Sequence, residues 1–157
     1  NGALQYLAAW DVHRGIVLGR CAKKTGIKPF GLLVDQVLEQ KTYEAATRLF
    51  FIVDNGSSHR GQTSVERMRR CDRRIILVHT PIHASWLNQV EIYFSIIQRK
   101  VLTPNDFASL EAVRVRLRLY EELSNRTPRP FAWKFTRQDL LDWLKHASPH
   151  FLAASAA

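Results

Sequence analysis

The chain has 157 residues, of which 46% are hydrophobic, so it can bury a core and is not expected to be disordered. Lys and Arg number 23 against 14 Asp and Glu, and the net charge of +9 favours a polyanionic partner such as nucleic acid. No apolar run is long enough to cross a bilayer, and we expect neither a signal peptide nor a membrane partner. The two cysteines are isolated, which argues against a zinc ribbon and favours two buried thiols in a reducing cytoplasm.

The first part of the sequence alternates strand-like and helix-like segments. The apolar runs "ALQYLAAW" and "IVLGRC", joined by a turn that contains Gly15, predict an antiparallel hairpin. Apolar residues at helical spacing predict a helix in "PFGLLVDQVLEQ", and a short helical piece is expected in "YEAAT". The run "RLFFIV", which ends at Val53, predicts a central strand covered on both faces.

The second part continues this alternation. "GQTSVERMRRCD" predicts a helix, "RIILVHT" a strand, and "SWLNQVEIYFSIIQRKVL" a helix with Ser85 as its N-cap. "SLEAVRVRLRLYEEL" alternates like a strand but also fits a helix capped by Ser109, and we predict the helix. A last helix is expected in "TRQDLLDWLKHA".

Strands that alternate with helices predict an α/β fold, and the opening hairpin makes its sheet a mixed one flanked by helices. We expect a single domain over residues 1–157, with a sheet-and-helix core at 1–125 and a C-terminal helical extension at 126–157.

Two acids are candidates for chemistry. Asp54 directly follows an apolar strand, and an acid there lies at the sheet edge where α/β folds bind ligands. An ordinary turn is the alternative, because "DNG" suits a positive φ. Glu91 is expected two turns into a helix with apolar neighbours, where an ionised acid needs a partner or a cation, unless the side chain is partly exposed. A zinc site at His79 and His83 is disfavoured by the intervening Pro81.

The stretches "FIVDNGSSHRG" and "LVHTPIHASWLNQVEIYFSIIQRKVL" together resemble the DDE transposases of bacterial insertion sequences, in the branch related to Tc/mariner elements. In that family the second catalytic acid is followed by Asn and, shortly after, by His, which here are Asp54, Asn55 and His59. The third acid ends a Pro-x-His-x-Ser-Trp-Leu-Asn-x-x-Glu motif, and here it is Glu91. The other members of this motif are Pro81, His83, Ser85, Trp86, Leu87 and Asn88.

The resemblance implies an RNase H-like fold and a DNA strand cleavage and strand transfer reaction at the ends of an insertion sequence. It implies two Mg²⁺ or Mn²⁺ ions, held in part by Asp54 and Glu91, because hard cations prefer carboxylate oxygens. Supporting or DNA-positioning roles would fall to Asn55, His59, His83, Ser85, Trp86 and Asn88. For Trp86 we expect a place in the core, with a contact to DNA as the alternative.

The resemblance also implies partners and a place of action. The partners would be the DNA of the transposon ends and of the target, and further copies of the chain in a homodimer or higher oligomer. The expected location is the bacterial cytoplasm, in association with the nucleoid.

The sequence departs from the family at its front. The family's first catalytic Asp lies on a strand before the hairpin, whereas this sequence begins at the hairpin. Asp11 is expected in the hairpin turn and Asp35 on the surface of a helix, so neither replaces that acid. We therefore expect an N-terminally truncated domain that is inactive alone. An inactive DNA-binding remnant and a related RNase H-like nuclease or resolvase are the alternatives.

Overall fold

The computed structural model describes residues 3–56, 61–81 and 84–142, and these confirm the α/β fold expected of an RNase H-like domain. The strands are β1 (Gln5–Asp11), β2 (Ile16–Ala22), β3 (Leu49–Val53) and β4 (Ile75–His79). The α-helices are α1 (Ile27–Leu38), α2 (Gln62–Cys71), α3 (Val90–Ile97) and α4 (Leu110–Arg126). Short 3₁₀ turns occur at Lys41–Tyr43 and Ser85–Leu87, and a π-helical turn, Gln98–Leu102, follows α3.

The four strands form two small sheets. β1 and β2 pair as an antiparallel hairpin, in which Gln5 lies opposite Ala22. β3 and β4 pair in parallel through a crossover that contains α2, with Leu49 opposite Ile75. Both kinds of pairing expected of a mixed sheet are present, but among the described residues no strand pairing joins β1 to β3.

The period of two along β1 divides its side chains between two cores. Tyr6, Ala8 and Trp10 face a cluster built from α3 and α4, which includes the buried Tyr93. Leu7 points the other way and packs into the cluster formed by α1, α2, β3 and β4. Both sheets therefore border the same core around α1.

In the described part of the chain the β3–β4 sheet is covered on one face and exposed on the other, so the expectation that β3 is covered on both faces is wrong. Val53 is buried in the core. On the opposite face Phe50 is 62% exposed, Ile52 46% and Val78 40%. The described helices pack beneath this sheet and beside the hairpin, which leaves these apolar side chains uncovered.

The predicted N-terminus of α4 agrees with the structure, and that of α3 does not. Helix α4 is confirmed, with the Ser109 hydroxyl accepting a hydrogen bond from the Ala112 N–H at 3.1 Å. Helix α3 begins at Val90, so Ser85 is not its N-cap and Glu91 lies in its first turn rather than two turns in. The reason is local, because the Asn88 side chain accepts from the Val90 N–H at 3.4 Å and competes with helical hydrogen bonding.

Smaller expectations differ in detail. In place of the helical piece expected in "YEAAT", the structure has the 3₁₀ turn Lys41–Tyr43, which shares only Tyr43 with that stretch. Cys21 is partly buried, whereas Cys71, at the end of α2, is exposed, so the expectation of two buried thiols is wrong for Cys71. The last helix is seen at residues 137–142, and its expected continuation lies outside the described residues. None of the helices in the described part of the chain is long and apolar enough to span a bilayer.

Candidate active site

Asp54 is the first residue after β3, and its carboxylate shapes the turn that follows. Its Oδ1 accepts a hydrogen bond from the Gly56 N–H at 2.8 Å, which is the geometry of an Asx turn. The carboxyl group is half-buried at the carboxyl end of a strand in a parallel pair. The two interpretations of "DNG" are therefore compatible, since the turn itself holds the acid at the sheet edge.

Asn55 connects the C-terminal ends of β3 and β4 by a hydrogen bond. Its Nδ2 donates to the carbonyl of Thr80 at 2.9 Å, and the Thr80 N–H donates to the carbonyl of Val53 at 2.8 Å. Thr80 is buried directly after β4. The sheet edge that carries Asp54 is thus fixed on both sides by backbone and amide hydrogen bonds.

Glu91 reaches the same edge from the first turn of α3. Its carboxyl group is half-buried, and its pKa is raised above the usual range first by this burial and second by the negative charge of Asp54. Asn88, just before α3, bonds the carbonyl of Ile52 near the end of β3, so Glu91 and Asp54 lie at the same end of this strand, where the charge of Asp54 acts on Glu91. The helix N-terminus favours a negative charge at this position.

Asn88 connects the turn before α3 to β3. Its Nδ2 approaches the carbonyl of Ile52 at 3.5 Å, while its Oδ1 receives the Val90 N–H. The side chain therefore spans from the start of the Glu91 helix to the strand that ends at Asp54.

Trp86 lies in the 3₁₀ turn ahead of α3 and is 41% exposed, so the expectation that it is a core residue is wrong. Its indole meets the ring of Phe135 edge-on, with centroids 5.0 Å apart, and this contact covers only part of its surface. Ser85 begins the same turn. His59 and His83 lie outside the described residues.

The other early acids do not join this site. Asp11 Oδ1 accepts from the N–H groups of His13 at 2.9 Å and Arg14 at 3.0 Å, and its Oδ2 accepts from the Tyr43 hydroxyl at 2.7 Å. Its expected role as a turn residue is confirmed. Asp35 is exposed on α1, also as expected.

The donor set at this edge suits a hard divalent cation but is small. Two carboxylates that repel each other offer the oxygen ligands that Mg²⁺ prefers, and a bound cation would relieve their repulsion. Within residues 3–56, 61–81 and 84–142, no cluster of three or more His, Cys, Asp or Glu side chains could hold a metal ion. The residues present fit a metal site to which another ligand is added.

The sequence patterns did not indicate the aromatic contacts made by the stretch after α4. There Phe131 stacks on Trp10, and Phe135 meets Trp86 next to the candidate site. The sequence feature that could have indicated these contacts is the alternation of Phe131, Trp133 and Phe135 in a segment without helical spacing.

A comparison with protein families agrees with this geometry. The DDE superfamily endonuclease family matches residues 1–114, a range that contains all four strands, Asp54 and Glu91. The match covers most of the chain, and the chain therefore belongs to the DDE superfamily of endonucleases. A comparison with curated proteins gave no match. The family acts on DNA and generally uses divalent metal ions.

Proposed function

We propose that this chain is the catalytic domain of a DNA transposase of the Tc/mariner-related insertion sequences, which cleaves and joins DNA strands at the element's ends. The observation that carries the proposal is the placement of Asp54 directly after β3 and of Glu91 in the first turn of α3, two segments that the hydrogen bond from Asn88 to the Ile52 carbonyl connects. Family membership supports nuclease chemistry on DNA, and the motif around Glu91 supports the transposase branch.

Each side chain at the edge has a separate task in this proposal. Asp54 and Glu91 would hold Mg²⁺ or Mn²⁺, and a pair of such ions supplies activation of the attacking oxygen and stabilisation of the leaving oxygen. Asn55 keeps the ends of β3 and β4 side by side, and Asn88 sets the start of α3 against β3. The remaining motif residues, His59, His83, Ser85 and Trp86, would line the path of the DNA strand.

A third acid is needed for the family's site, and the sheet edges suggest where it would come from. The outer edge of β2 is closed, since Asn125 bonds both the N–H and the carbonyl of Val17. The edge of β1 that faces away from β2 has no strand partner among the described residues, although β1 and β3 border one core. We propose that a further strand fits between β1 and β3 and carries this acid.

The same proposal extends to organisation and partners. Residues 1–125 would form the core of one domain and residues 126–157 its helical extension. The chain would bind transposon ends and target DNA at the bacterial nucleoid as a dimer or higher oligomer. A DNA-binding remnant is the second candidate, because the described part of the chain contains no group of three or more His, Cys, Asp or Glu side chains that could hold a metal ion.

The test is metal-dependent nicking of DNA that carries the element's ends. We expect no nicking by the chain alone, and Mg²⁺- or Mn²⁺-dependent nicking by a form extended at its N-terminus with an acid-bearing strand. Asp54→Asn and Glu91→Gln should abolish that activity, whereas Asp11→Asn should retain it. Activity of the chain alone that is lost in Asp11→Asn would show that Asp11 is the missing acid.

A binding measurement separates the enzyme from the remnant without relying on turnover. Mn²⁺ should raise the melting temperature of the chain, because a ligand that binds only the folded state stabilises it by about 2.7 kcal/mol at 100 times its Kd. The same addition should have little effect on Asp54→Asn. Equal stabilisation of both proteins would remove Asp54 from the metal site.

A further inference from the structure

The stretch from residue 127 to 136, here called the strap, follows α4 and is neither helix nor strand. It lies beyond residue 114, where the family match ends. Its rings of Phe131, Trp133 and Phe135 are each partly buried, while the intervening Ala132 and Lys134 are exposed. The strap therefore turns one row of aromatic side chains toward the rest of the protein.

The N-terminal part of the strap packs against Trp10 at the end of β1. Phe131 stacks on Trp10 with ring centroids 4.3 Å apart and an interplanar angle of 16°. Trp10 in turn stacks on Tyr93, at 5.9 Å and 23°. Tyr93 is fully buried one helical turn or less from Glu91, so this row of rings ends on the helix that carries the acid.

The C-terminal part of the strap packs against the 3₁₀ turn that precedes α3. Phe135 packs edge-on against Trp86 in the turn that precedes the helix, and Trp133 packs against Phe135 with centroids 6.2 Å apart. The strap thus contacts the segment around Glu91 through Trp86 on one side and through Trp10 and Tyr93 on the other.

The backbone of the strap packs directly against Gly15, in the turn between β1 and β2. Gly15 is buried with φ +67°, and a Cβ atom there would collide with the backbone of Arg129 and Pro130. A collision with backbone cannot be relieved by a change of side-chain rotamer. Gly15 therefore serves two purposes, since it adopts the positive φ and leaves room for the strap.

Helix α3 needs external support at its start. Its N-cap residue, Gln89, makes no side-chain capping hydrogen bond, and Glu91 is in the first, least restrained turn. In addition to the hydrogen bonds of Asn88, the contact between Trp86 and Phe135 restrains this turn from a residue outside the family-matched range.

We propose that the strap positions the metal-binding carboxylate of Glu91, with Phe131 and Phe135 as positioning residues that hold the two ends of its segment. This inference rests on the proposed function, in which Glu91 is a metal ligand. Removal of the Phe135 ring would let the turn before α3 move and would displace Glu91 from Asp54. Removal of Phe131 would act in the same direction through Trp10 and Tyr93.

The test compares Phe135→Ala with Phe135→Tyr, which keeps the ring, and with Phe107→Ala as a matched control. Phe107 is also half-exposed but contacts Arg116 on α4 instead of the Glu91 segment. We expect amide hydrogen exchange of residues 86–92 to be about 3- to 10-fold faster in Phe135→Ala, the size expected for one lost aromatic contact. The Asn88 side-chain amide resonance should shift at the same time. Phe135→Tyr and Phe107→Ala should match the original chain in that segment.

The second measurement is Mn²⁺ affinity by electron paramagnetic resonance. Loss of a residue that supports a metal ligand typically weakens binding by about 10-fold or more, and we expect this for Phe135→Ala with recovery in Phe135→Tyr. Unchanged exchange at residues 86–92, or faster exchange with unchanged Mn²⁺ affinity, would overturn the inference. If neither the original chain nor the form extended at its N-terminus binds Mn²⁺, the proposed metal function fails, and an unshifted Asn88 resonance in Phe135→Ala would separately refute the positioning role.

Discussion

Glu121 is a partly buried acid on α4 whose carboxylate accepts hydrogen bonds from the β1–β2 hairpin. Its Oε1 accepts from the N–H of Gly19 at 3.0 Å, and its Oε2 accepts from the Tyr6 hydroxyl at 3.3 Å. Burial raises the pKa of Glu121, although both hydrogen bonds oppose the rise. The raised pKa shows that burial outweighs the hydrogen bonds at this site.

This balance predicts how stability depends on pH. Between the ordinary pKa of a glutamate and the raised pKa of Glu121, the folded state keeps a proton that the unfolded state has lost. The free energy of unfolding therefore falls as the pH rises through this window. In Glu121→Gln, which can still accept from Gly19, we expect this part of the pH dependence to disappear. Melting curves from pH 4 to pH 7 measure it, and an identical slope in both proteins would contradict the prediction.

At the residue scale the sequence was informative where a residue type is tied to chemistry. Asp54 and Glu91 were found from a strand end and a motif, and Asp11 was assigned to its turn. Trp86 was expected in the core but is 41% exposed, because the extent of its burial is set by a contact with Phe135 that is distant in sequence. Whether Cys71 is exposed depends on how α2 packs, which its local sequence does not encode.

Helix α4 covers the edge of β2 that does not pair with β1. Asn125 accepts from the N–H of Val17 at 2.9 Å and donates to its carbonyl at 2.7 Å, and Val17 is fully buried. Gln36 on α1 adds a bond to the carbonyl of Gly19 at 3.2 Å. Side chains therefore satisfy backbone groups that a neighbouring strand would otherwise pair.

We expect Asn125→Ala to destabilise the fold by about 2–4 kcal/mol, because it leaves a buried N–H and a buried carbonyl without partners. Arg118→Gln, an exposed change on the same helix, should cost no more than about 0.5 kcal/mol. Urea unfolding of the two variants provides the comparison. Equal stability of Asn125→Ala and the original chain would mean that water replaces the lost hydrogen bonds.

At the element scale the apolar runs and helical periods were sufficient to predict the four strands that the structure describes and the positions of α1, α2 and α4. The start of α3 was missed because the Asn88 side chain takes over hydrogen bonds that a regular helix would make. The separation of the two sheets could not be foreseen, because strand partners are chosen by contacts distant in sequence.

The uncovered face of the β3–β4 sheet predicts self-association of the whole molecule. Phe50 and Ile52 are exposed apolar side chains on one face, and such patches mark interaction surfaces. We expect the chain to associate as its concentration rises, and Phe50→Lys to weaken this association. Leu119→Lys, which changes an equally apolar but separate exposed position on α4, is the control. Sedimentation showing a monomer at all concentrations would contradict the prediction.

The net charge of +9 makes a further prediction for the molecule as a whole. We expect binding to duplex DNA with little sequence preference and with an affinity that falls steeply with salt. About four phosphate contacts would give a loss of about 100-fold between 50 and 200 mM salt. Fluorescence anisotropy with a labelled duplex measures the slope. Absence of binding at low salt, or binding that salt hardly changes, would refute the electrostatic origin.

The close seating of the strap against Gly15 has a consequence for anyone who divides this protein into fragments. A piece cut at residue 114 keeps everything by which the family is recognised, including both acids. It would nevertheless expose the face of Trp10 that Phe131 covers and leave Val17 on the outer edge of β2 without Asn125, since both residues lie beyond the cut. The length by which the family is recognised is therefore shorter than the length that completes these contacts, and we expect a stable fragment to extend at least to Phe131.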